Sequence, residues 1–292
     1  MRVCIFGSEV GWVKKGIFVG GAAVSAVRLG QALHGLGDEV FVFSSAPRGR
    51  PSGVYTLDWG FIVNKRVPGR YMSLPYLILY GVTSFFGLLH FCKRNKIEVI
   101  NSHSGSIILC VVPSIVGKLL RIPVVHTQYC EVSMGKAKSG GFLSHFIARL
   151  CLRLPDKFIG ISKNVCASLL RVGLPYKKIE MIPPVVPSFG RNGGSERKYR
   201  GLLGFDDADL VALFVGNLKK NKGIDVLFEA FIKLADELPK LKLIVTTELV
   251  HEGFVGRKRI LQNKLVQHGL VGRVVWLGFV DDMLSLIKEA DV

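Results

Sequence analysis

Short apolar strands alternate with helical patterns along most of this chain, and this alternation restricts the possible fold more than any other feature. The strands predicted in the first 187 residues are mostly unbroken apolar runs: Arg2–Gly7, Glu39–Ser44, Glu98–Asn101, Val124–Thr127, Lys157–Gly160 and Glu180–Ile182. The helices predicted between them cover about 22–36, 73–95, 107–120, 143–154 and 163–172. Unbroken apolar strands separated by helices are typical of a parallel sheet that is covered on both faces. We therefore predict an α/β fold with a doubly wound sheet and with ligands at the carboxyl ends of its strands.

A proline-rich and polar stretch predicts a division into two domains. Pro183, Pro184 and Pro187 lead into the polar run 191–198, after which strands and helices alternate again. The expected domains are residues 1–187 and 188–292. The second has only three complete predicted strands, and Ala290–Val292 resembles the approach to a further one. Because such domains have about six strands, we expect the second domain to be incomplete.

The positive charge of the chain lies almost entirely in its first part. The net charge is +17; residues 1–187 contain 23 Lys and Arg against 8 Asp and Glu, whereas residues 188–292 contain 16 against 14. An anionic partner is therefore expected for the first domain. No nucleic-acid-binding signature accompanies the basic residues, so nucleic acid is not the expected partner, and acidic lipid headgroups fit better.

The segment Tyr71–Phe91 is uncharged and long enough to cross a bilayer. Pro75, Gly81 and Gly87 interrupt it, and the fold requires a crossover helix here, which favours a buried or peripheral helix over a membrane span. The six cysteines form no CxxC pair, and most of them are expected as small core residues. A reducing cytoplasm is the natural compartment for them, and we expect no signal peptide.

The run Val215–Gly223 predicts a phosphate-binding turn. It follows an apolar strand, contains Gly216, Asn217 and Lys222, and opens a helix whose apolar positions begin at Ile224. The first turn of a helix offers unpaired N–H groups and a partial positive charge, to which Lys222 adds a full charge. A solvated turn without a ligand is the alternative.

Three further candidates lie in the first domain. Gly20 and Gly21 precede its first helix, where glycines let a phosphate approach the backbone. The segments 102–105, with His103, and 126–129, with Tyr129, follow two neighbouring strands, which suggests a cleft. The alternatives are that the glycine pair forms only a tight turn and that the polar strand ends have no role.

Asp281 and Asp282 are expected to cap a helix, and no hydrolase triad or metal-spaced cluster is present.

Taken in order, these segments resemble the retaining glycosyltransferases of family four, which have the GT-B fold. Residues 98–103 (EVINSH) resemble the motif DVIHAH, and 122–127 (IPVVHT) resemble IPVVxT. Residues 156–162 (DKFIGIS) match aDxiiavS, and 215–223 (VGNLKKNKG) match vGRLxxxKG. The resemblance covers nearly the whole chain and implies two Rossmann-like domains, the second incomplete.

The resemblance implies hexosyl transfer from a nucleotide-diphosphate sugar to an acceptor, with retention and without a metal or other cofactor. The second domain would hold the donor through Gly216, Asn217 and Lys222, and the Gly20–Gly21 turn would help to stabilise the departing diphosphate. His103 and Tyr129 would act at the sugar. The basic first domain fits members that use lipid-linked acceptors, which implies a cytoplasmic protein that is peripheral on the inner face of the membrane.

The chain departs from the family pattern at several places, among them Pro184–Pro187 in place of NGVD and Thr246–Thr247 in place of a glycine turn. Asn217 stands where the family has an arginine, and Tyr129 stands where it has a histidine. The family motif ExGFGLxxxEA, whose two acids contact the donor, is expected beyond Val292, as in a truncated chain. The alternative prediction is therefore a catalytically impaired fragment or a non-catalytic binding module with the GT-B fold.

Overall fold

The structure is a computed structural model in which the chain divides into two compact units, Met1–Ser188 (unit 1) and Phe189–Val292 (unit 2). It describes residues 1–7, 13–14, 17–18, 21–47, 53–67, 74–132, 151–184, 198–247, 252–278, 280 and 282–292. The predicted helix 143–154 and the predicted linker lie mostly outside these ranges.

Unit 1 contains an eight-stranded sheet that is parallel except at one edge. The strands of the unit are β1 (Arg2–Gly7), β2 (Val13–Lys14), β3 (Ile17–Phe18), β4 (Glu39–Pro47), β5 (Gly53–Leu57), β6 (Gly60–Val67), β7 (Val99–Ser104), β8 (Val124–Gln128), β9 (Lys157–Gly160) and β10 (Ile179–Met181). The sheet order is β10-β9-β8-β7-β1-β4-β6-β5, and β2 and β3 form a separate antiparallel pair. Only the edge pair β5–β6 is antiparallel within the large sheet. The predicted α/β fold with a doubly wound parallel sheet is confirmed.

Helices cover both faces of this sheet. They are α1 (Gly21–Gly35), α2 (Leu74–Arg94), α3 (Val111–Leu120) and α4 (Lys163–Arg171). In β1, Ile5 packs with Val27 of α1 on one face, whereas Phe6 packs with Leu88 of α2 on the other. Successive strand residues point to opposite faces, so both faces must be apolar, which explains the unbroken apolar runs.

The β5–β6 hairpin is an element that the sequence analysis did not predict. Its turn contains Trp59, which is buried and lies against Gly30 of α1. A Cβ atom at Gly30 would lie 2.6 Å from the Trp59 ring, so only glycine allows this contact. The hairpin extends the sheet beyond β4 and helps to cover the face on which α1 lies.

Unit 2 repeats the alternation on a smaller scale. Its parallel strands are β11 (Leu210–Val215), β12 (Leu241–Thr246) and β13 (Val274–Leu277), in the order β11-β12-β13. Its helices are α5 (Lys198–Leu203), α6 (Ile224–Leu234), α7 (Glu252–Gln267) and α8 (Met283–Glu289). Asp291 N–H donates to the Val211 carbonyl at 2.8 Å, and Leu213 N–H donates to the Val292 carbonyl at 2.9 Å. Residues 291–292 therefore lie along the side of β11 that faces away from β12.

A buried arginine joins α5 to the segment that follows α8. Arg200 is 3% exposed and donates to the carbonyl oxygens of Asp206 and Asp209 at 2.9 and 2.8 Å. It also donates to the Asp291 carboxylate at 3.1 Å. Because a buried guanidinium needs several acceptors, these contacts satisfy its terminal nitrogens and connect α5 with the segment after α8.

Gly117 of α3 and Gly81 of α2 make a matched test of packing between the helices and the sheet. A Cβ atom at Gly117 would collide with Val124 of β8 and lie 2.7 Å from the Ile122 carbonyl oxygen, whereas nothing lies within 4 Å of one at Gly81. Gly117→Ala should lower the free energy of unfolding by about 1–3 kcal/mol. Gly81→Ala should raise it by about 0.5–1 kcal/mol, since alanine favours helix. Urea denaturation measures both, and equal effects would contradict this packing.

Candidate functional site

Polar side chains cluster at the carboxyl ends of β7 and β8 in unit 1. The parallel register places Ser102 beside His126, His103 beside Thr127 and Ser104 beside Gln128. All six side chains are buried, in a sheet whose other residues are mainly apolar. The two segments that the sequence analysis named as strand ends are therefore direct neighbours.

The hydrogen bonds of Gln128 determine the protonation of His126. The Gln128 side-chain nitrogen donates to the carbonyls of Gly105 and Cys130 at 3.0 and 2.8 Å, so its oxygen faces His126 Nε2 at 3.2 Å. An amide oxygen only accepts, so Nε2 must carry the proton. Burial lowers the pKa of His126 to about 4, so the ring is neutral and its Nδ1 accepts from the Ser102 hydroxyl at 2.7 Å. This network orients the end of β8.

His103 and Tyr129 form a second pair beside this network. The Tyr129 hydroxyl lies 2.8 Å from His103 Nδ1, and the Ser25 side chain of α1 lies near it. Burial, followed by the nearby His126, lowers the pKa of His103 to about 3. Burial raises the pKa of Tyr129 to about 12, although the nearby Ser25 side chain opposes this rise. Both groups are therefore neutral near pH 7.

His103 has one ring nitrogen that the surrounding protein does not satisfy. Its side chain is buried, and among the described residues no group hydrogen bonds its Nε2. When Tyr129 donates its proton to Nδ1, the neutral imidazole carries its own proton on Nε2. That N–H can then donate to an oxygen of a ligand. An unsatisfied buried donor costs about 1–3 kcal/mol, which a bound ligand would recover.

The helix α1 approaches the same edge of the sheet. It begins at Gly21, and Ser25, one turn later, reaches Tyr129. Gly20 lies outside the described residues. The first turn of α1 contains no acidic residue, so its partial positive charge is not offset within the helix. Ser25 was not predicted as a site residue; the only signal in the sequence was a hydroxyl on an apolar helix close to the glycine pair.

The turn Val215–Gly223 of unit 2 has the predicted arrangement of strand, turn and helix. β11 ends at Val215, a 3₁₀ turn covers Lys220–Lys222, and α6 begins at Ile224. Gly223 precedes the helix with φ 73°, a conformation that favours glycine. Lys222 is exposed, next to the positive end of α6.

Asn217 has a local structural contact in this turn. Its side-chain oxygen accepts from the Lys219 N–H at 3.3 Å, which shapes the chain between β11 and the 3₁₀ turn. An asparagine carries no charge, so the positive charge around the turn comes from lysines and from the helix end. The structure thus places Gly216, Asn217 and Lys222 on one continuous loop.

Thr247 is a polar residue near this turn that the sequence analysis did not propose for the site. It follows β12, and the preceding residue, Thr246, accepts from the Gly216 N–H at 3.2 Å. Thr247 is buried, and its hydroxyl has no hydrogen-bond partner among the described residues. Such a hydroxyl at the carboxyl edge of the sheet can bind a polar ligand group. Its signal in the sequence was a pair of threonines directly after an apolar strand.

The two buried histidines should make the stability of the protein sensitive to acid. Histidines of the unfolded chain ionise near pH 6.5, whereas His103 and His126 stay neutral down to about pH 3 and 4 in the folded state. The unfolded state binds more protons below pH 6.5, so the free energy of unfolding should fall as the pH falls from 6.5 toward 4. The loss is about 1.4 kcal/mol per pH unit for each histidine. Urea denaturation between pH 7.5 and 4.5 measures it.

Two variants test the origin of this pH dependence. His103→Asn removes one buried titrating group, so its stability should fall less steeply with acid than that of the control His34→Asn, whose side chain is exposed. Equal slopes for the two variants would contradict the assignment.

Models of two protein families match this chain. The model described as Glycosyltransferase Family 4 matches residues 19–188, and that described as Glycosyl transferases group 1 matches residues 195–292. The first match covers most of unit 1, and the second covers most of unit 2.

Individual proteins show the same likeness. The chain is 31% identical over 127 residues to mannosylfructose-phosphate synthase of Agrobacterium fabrum, which covers 41% of this chain and 28% of that protein. It is 24% identical over 303 aligned positions to alpha-monoglucosyldiacylglycerol synthase of Acholeplasma laidlawii, covering 94% of this chain and 68% of that protein. The chain therefore spans about a quarter to two thirds of the length of these relatives.

A solved structure shows the likeness of the fold. Anabaena HepE, crystallised in complex with UDP, superposes with a TM-score of 0.69 at 16% identity, over all of this chain and 72% of that one. The order of strands and helices, the two family matches and this structural likeness agree. The chain is a member of the group 1 glycosyltransferases, with a family 4 domain followed by a group 1 domain in the GT-B fold.

Proposed function

We propose that this chain transfers a hexose from a nucleotide-diphosphate sugar to an acceptor with retention of the anomeric configuration. The observation that carries the proposal is the turn Val215–Gly223, which places the exposed Lys222 beside the start of α6. A diphosphate that leaves with growing negative charge is stabilised by such a lysine and helix end. HepE binds UDP with a similar fold, which supports a nucleotide donor here.

In this proposal unit 2 binds the donor and unit 1 binds the acceptor. In unit 2, Gly216 lets the backbone approach a phosphate, and the Thr247 hydroxyl offers a further polar contact. Asn217 shapes the loop between them. In unit 1, we also propose Gly20 and Gly21, at the start of α1, as donor-binding residues, since a helix N-terminus favours a phosphate group.

His103 would act on the sugar as a neutral hydrogen-bond donor. Tyr129 fixes its Nδ1, and Nε2 is left for a sugar hydroxyl or for the oxygen that departs. A neutral imidazole loses less hydration than a cation would on burial, so it can work inside a dry pocket. Ser25 lies near Tyr129 and would help to orient it.

We further propose an acceptor that is lipid-linked or lies at a membrane surface. One relative is named as a synthase of a glucosylated diacylglycerol, and it aligns with 94% of this chain. The excess of basic residues in 1–187 suits work beside anionic lipids. The protein would then be cytoplasmic and peripheral on the inner face of the membrane.

The second candidate function is nucleotide binding without catalysis. It is favoured by Asn217, which supplies no charge where the family has an arginine and which bonds the backbone of its own turn. Donor binding without donor hydrolysis or transfer would support this candidate.

Substitution of Lys222 tests the proposed donor-binding turn Val215–Gly223. Lys222→Ala should weaken the binding of UDP, or of whichever nucleoside diphosphate in a panel binds best, by about 1–3 kcal/mol, the scale of a charged hydrogen bond. Isothermal titration calorimetry measures this. The matched control is Lys233→Ala, an exposed lysine in the last turn of the same helix, where the dipole does not attract an anion. Unchanged affinity in Lys222→Ala, or an equal loss in both variants, would contradict the assignment.

Substitution of His103 in unit 1 tests its proposed role at the sugar. His103→Asn should slow hydrolysis or transfer of the donor sugar by roughly a hundredfold or more, because a positioned hydrogen-bonding group acts at the reacting centre. The affinity for the nucleoside diphosphate should stay the same. His90→Asn, at an exposed position of α2, is the control and should keep its rate. A normal rate in His103→Asn would exclude a role for this residue in catalysis.

A further inference from the structure

The outer side of α2 is apolar, although it faces solvent. Ile78, Val82 and Phe86 are 61%, 50% and 64% exposed and follow one another at intervals of four residues. They form a stripe about 12 Å long. The opposite side of the helix buries Leu88 and Phe91 in the core of unit 1. A surface helix normally has a polar outer side, so the exposed stripe is not explained by the packing of α2 on its sheet.

The neighbouring helix α3 continues this apolar surface. Ile115 and Leu119 of α3 are exposed, as is Ile108 in the 3₁₀ turn that precedes it. Both helices pack on the same core cluster and contact each other, so their outer sides lie on the same side of the sheet. The six apolar residues Ile78, Val82, Phe86, Ile108, Ile115 and Leu119 are called the α2–α3 face here. Several exposed apolar residues on two neighbouring helices favour an interaction site.

Basic residues lie at one end of this face. Each of the two helices connects parallel strands, so both run in the same direction and end at the same edge of the sheet. Lys93 and Arg94 end α2, and Lys118 is in the last turn of α3, with Arg121 just after it; all four are exposed. The positive charge of Lys118 also reaches Lys178, whose pKa is lowered first by burial and then partly by this lysine.

Acidic residues are almost absent from this part of the chain. Residues 59–130 contain eight Lys and Arg but only one acid, Glu98. Its carboxylate accepts from the Arg2 backbone N–H at 2.6 Å, at the start of β1. The apolar stripe and the basic end are therefore not offset by negative charge on these helices.

We propose that the α2–α3 face docks on an anionic lipid bilayer. The apolar side chains would enter the boundary between headgroups and acyl chains, and the lysines and arginines would bind lipid phosphates. A second copy of this chain fits less well, because two faces with the same basic residues and no acids would repel each other. Nucleic acid would bind the basic end but would leave the apolar stripe in water.

The docked orientation also suits a lipid acceptor. The stripe begins near the start of α2, which follows β6 at the carboxyl edge of the sheet, and Ile108 lies four residues after β7, the strand of His103. The purpose of this docking rests on the proposed membrane-surface acceptor. The docking itself does not, because bilayer binding needs neither donor nor catalysis.

Flotation with vesicles tests the docking surface. The full chain, without nucleotide, should float with vesicles of phosphatidylcholine and phosphatidylglycerol, and much less with phosphatidylcholine alone. Val82→Glu/Phe86→Glu should lower partition into the mixed vesicles at least about tenfold, because it removes apolar contact and adds negative charge. The control Val226→Glu/Val266→Glu changes two valines of unit 2 that are 69% and 65% exposed, and it should bind like wild type.

The basic end is tested separately. Lys93→Glu/Arg94→Glu should also lower partition about tenfold or more, and high salt should weaken binding of the wild type. Lys233→Glu/Lys240→Glu makes the same charge change in unit 2 and should have little effect. Thermal melting shows whether each variant is folded, and UDP affinity that is equal to wild type separates a docking defect from a donor-site defect.

Three results would overturn the proposal. The first is a wild-type chain that binds neither type of vesicle. The second is equal partition of the Val82→Glu/Phe86→Glu variant and its control. The third is a wild-type dimer, seen by light scattering, that the same variant converts to monomers without any vesicle binding, since the face would then be a contact between two copies.

Discussion

Burial of both faces of the eight-stranded sheet determines where polar groups can lie in unit 1. Within β1, Ile5 and Phe6 are buried on opposite faces, so a polar side chain in the middle of a strand would have no water on either side. Polar residues are instead collected at the carboxyl ends of β7 and β8. Even there each needs a partner: the Ser102 hydroxyl donates to His126 Nδ1, and His126 Nε2 donates to the Gln128 oxygen. His103 keeps one nitrogen without a partner in the part of the chain that the structure describes, which is why it is the stronger candidate for contact with a ligand.

The cationic side chains Arg200 and Lys222 of unit 2 differ in burial. Arg200 is enclosed, and its two terminal nitrogens donate to backbone carbonyls and to Asp291, which is a structural arrangement. Lys222 lies exposed on a glycine-bounded turn at the start of α6, where an anion gains both its charge and the helix dipole. In unit 1, exposed basic residues also lie at one end of the α2–α3 face. Its lysines and arginines are exposed beside apolar side chains, which is the combination that an anionic bilayer complements.

Much of the fold could be predicted because the signals are local. Strand β11, the glycine and lysine turn and helix α6 follow directly from a run of some 25 residues, and Asp282 caps α8 as expected by accepting from the Ser285 N–H. The prediction of a crossover helix at α2 agrees with the structure, and no helix among the described residues is long and apolar enough to cross a membrane. The β5–β6 hairpin was missed, because its strands are short and Trp59 is explained only by its contact with Gly30.

The sequence by itself determined the order of strands and helices, the glycine and lysine turn, and the motifs from which the family resemblance was inferred. These features depend on residues close together in the chain. Only the tertiary structure decided that Ser25 reaches Tyr129 across more than a hundred residues, that Gln128 sets the proton of His126, and that Phe86 faces outward while Leu88 is buried. The physical reason is that an apolar pattern shows which residues avoid water, whereas the packing of distant elements decides which of them are buried.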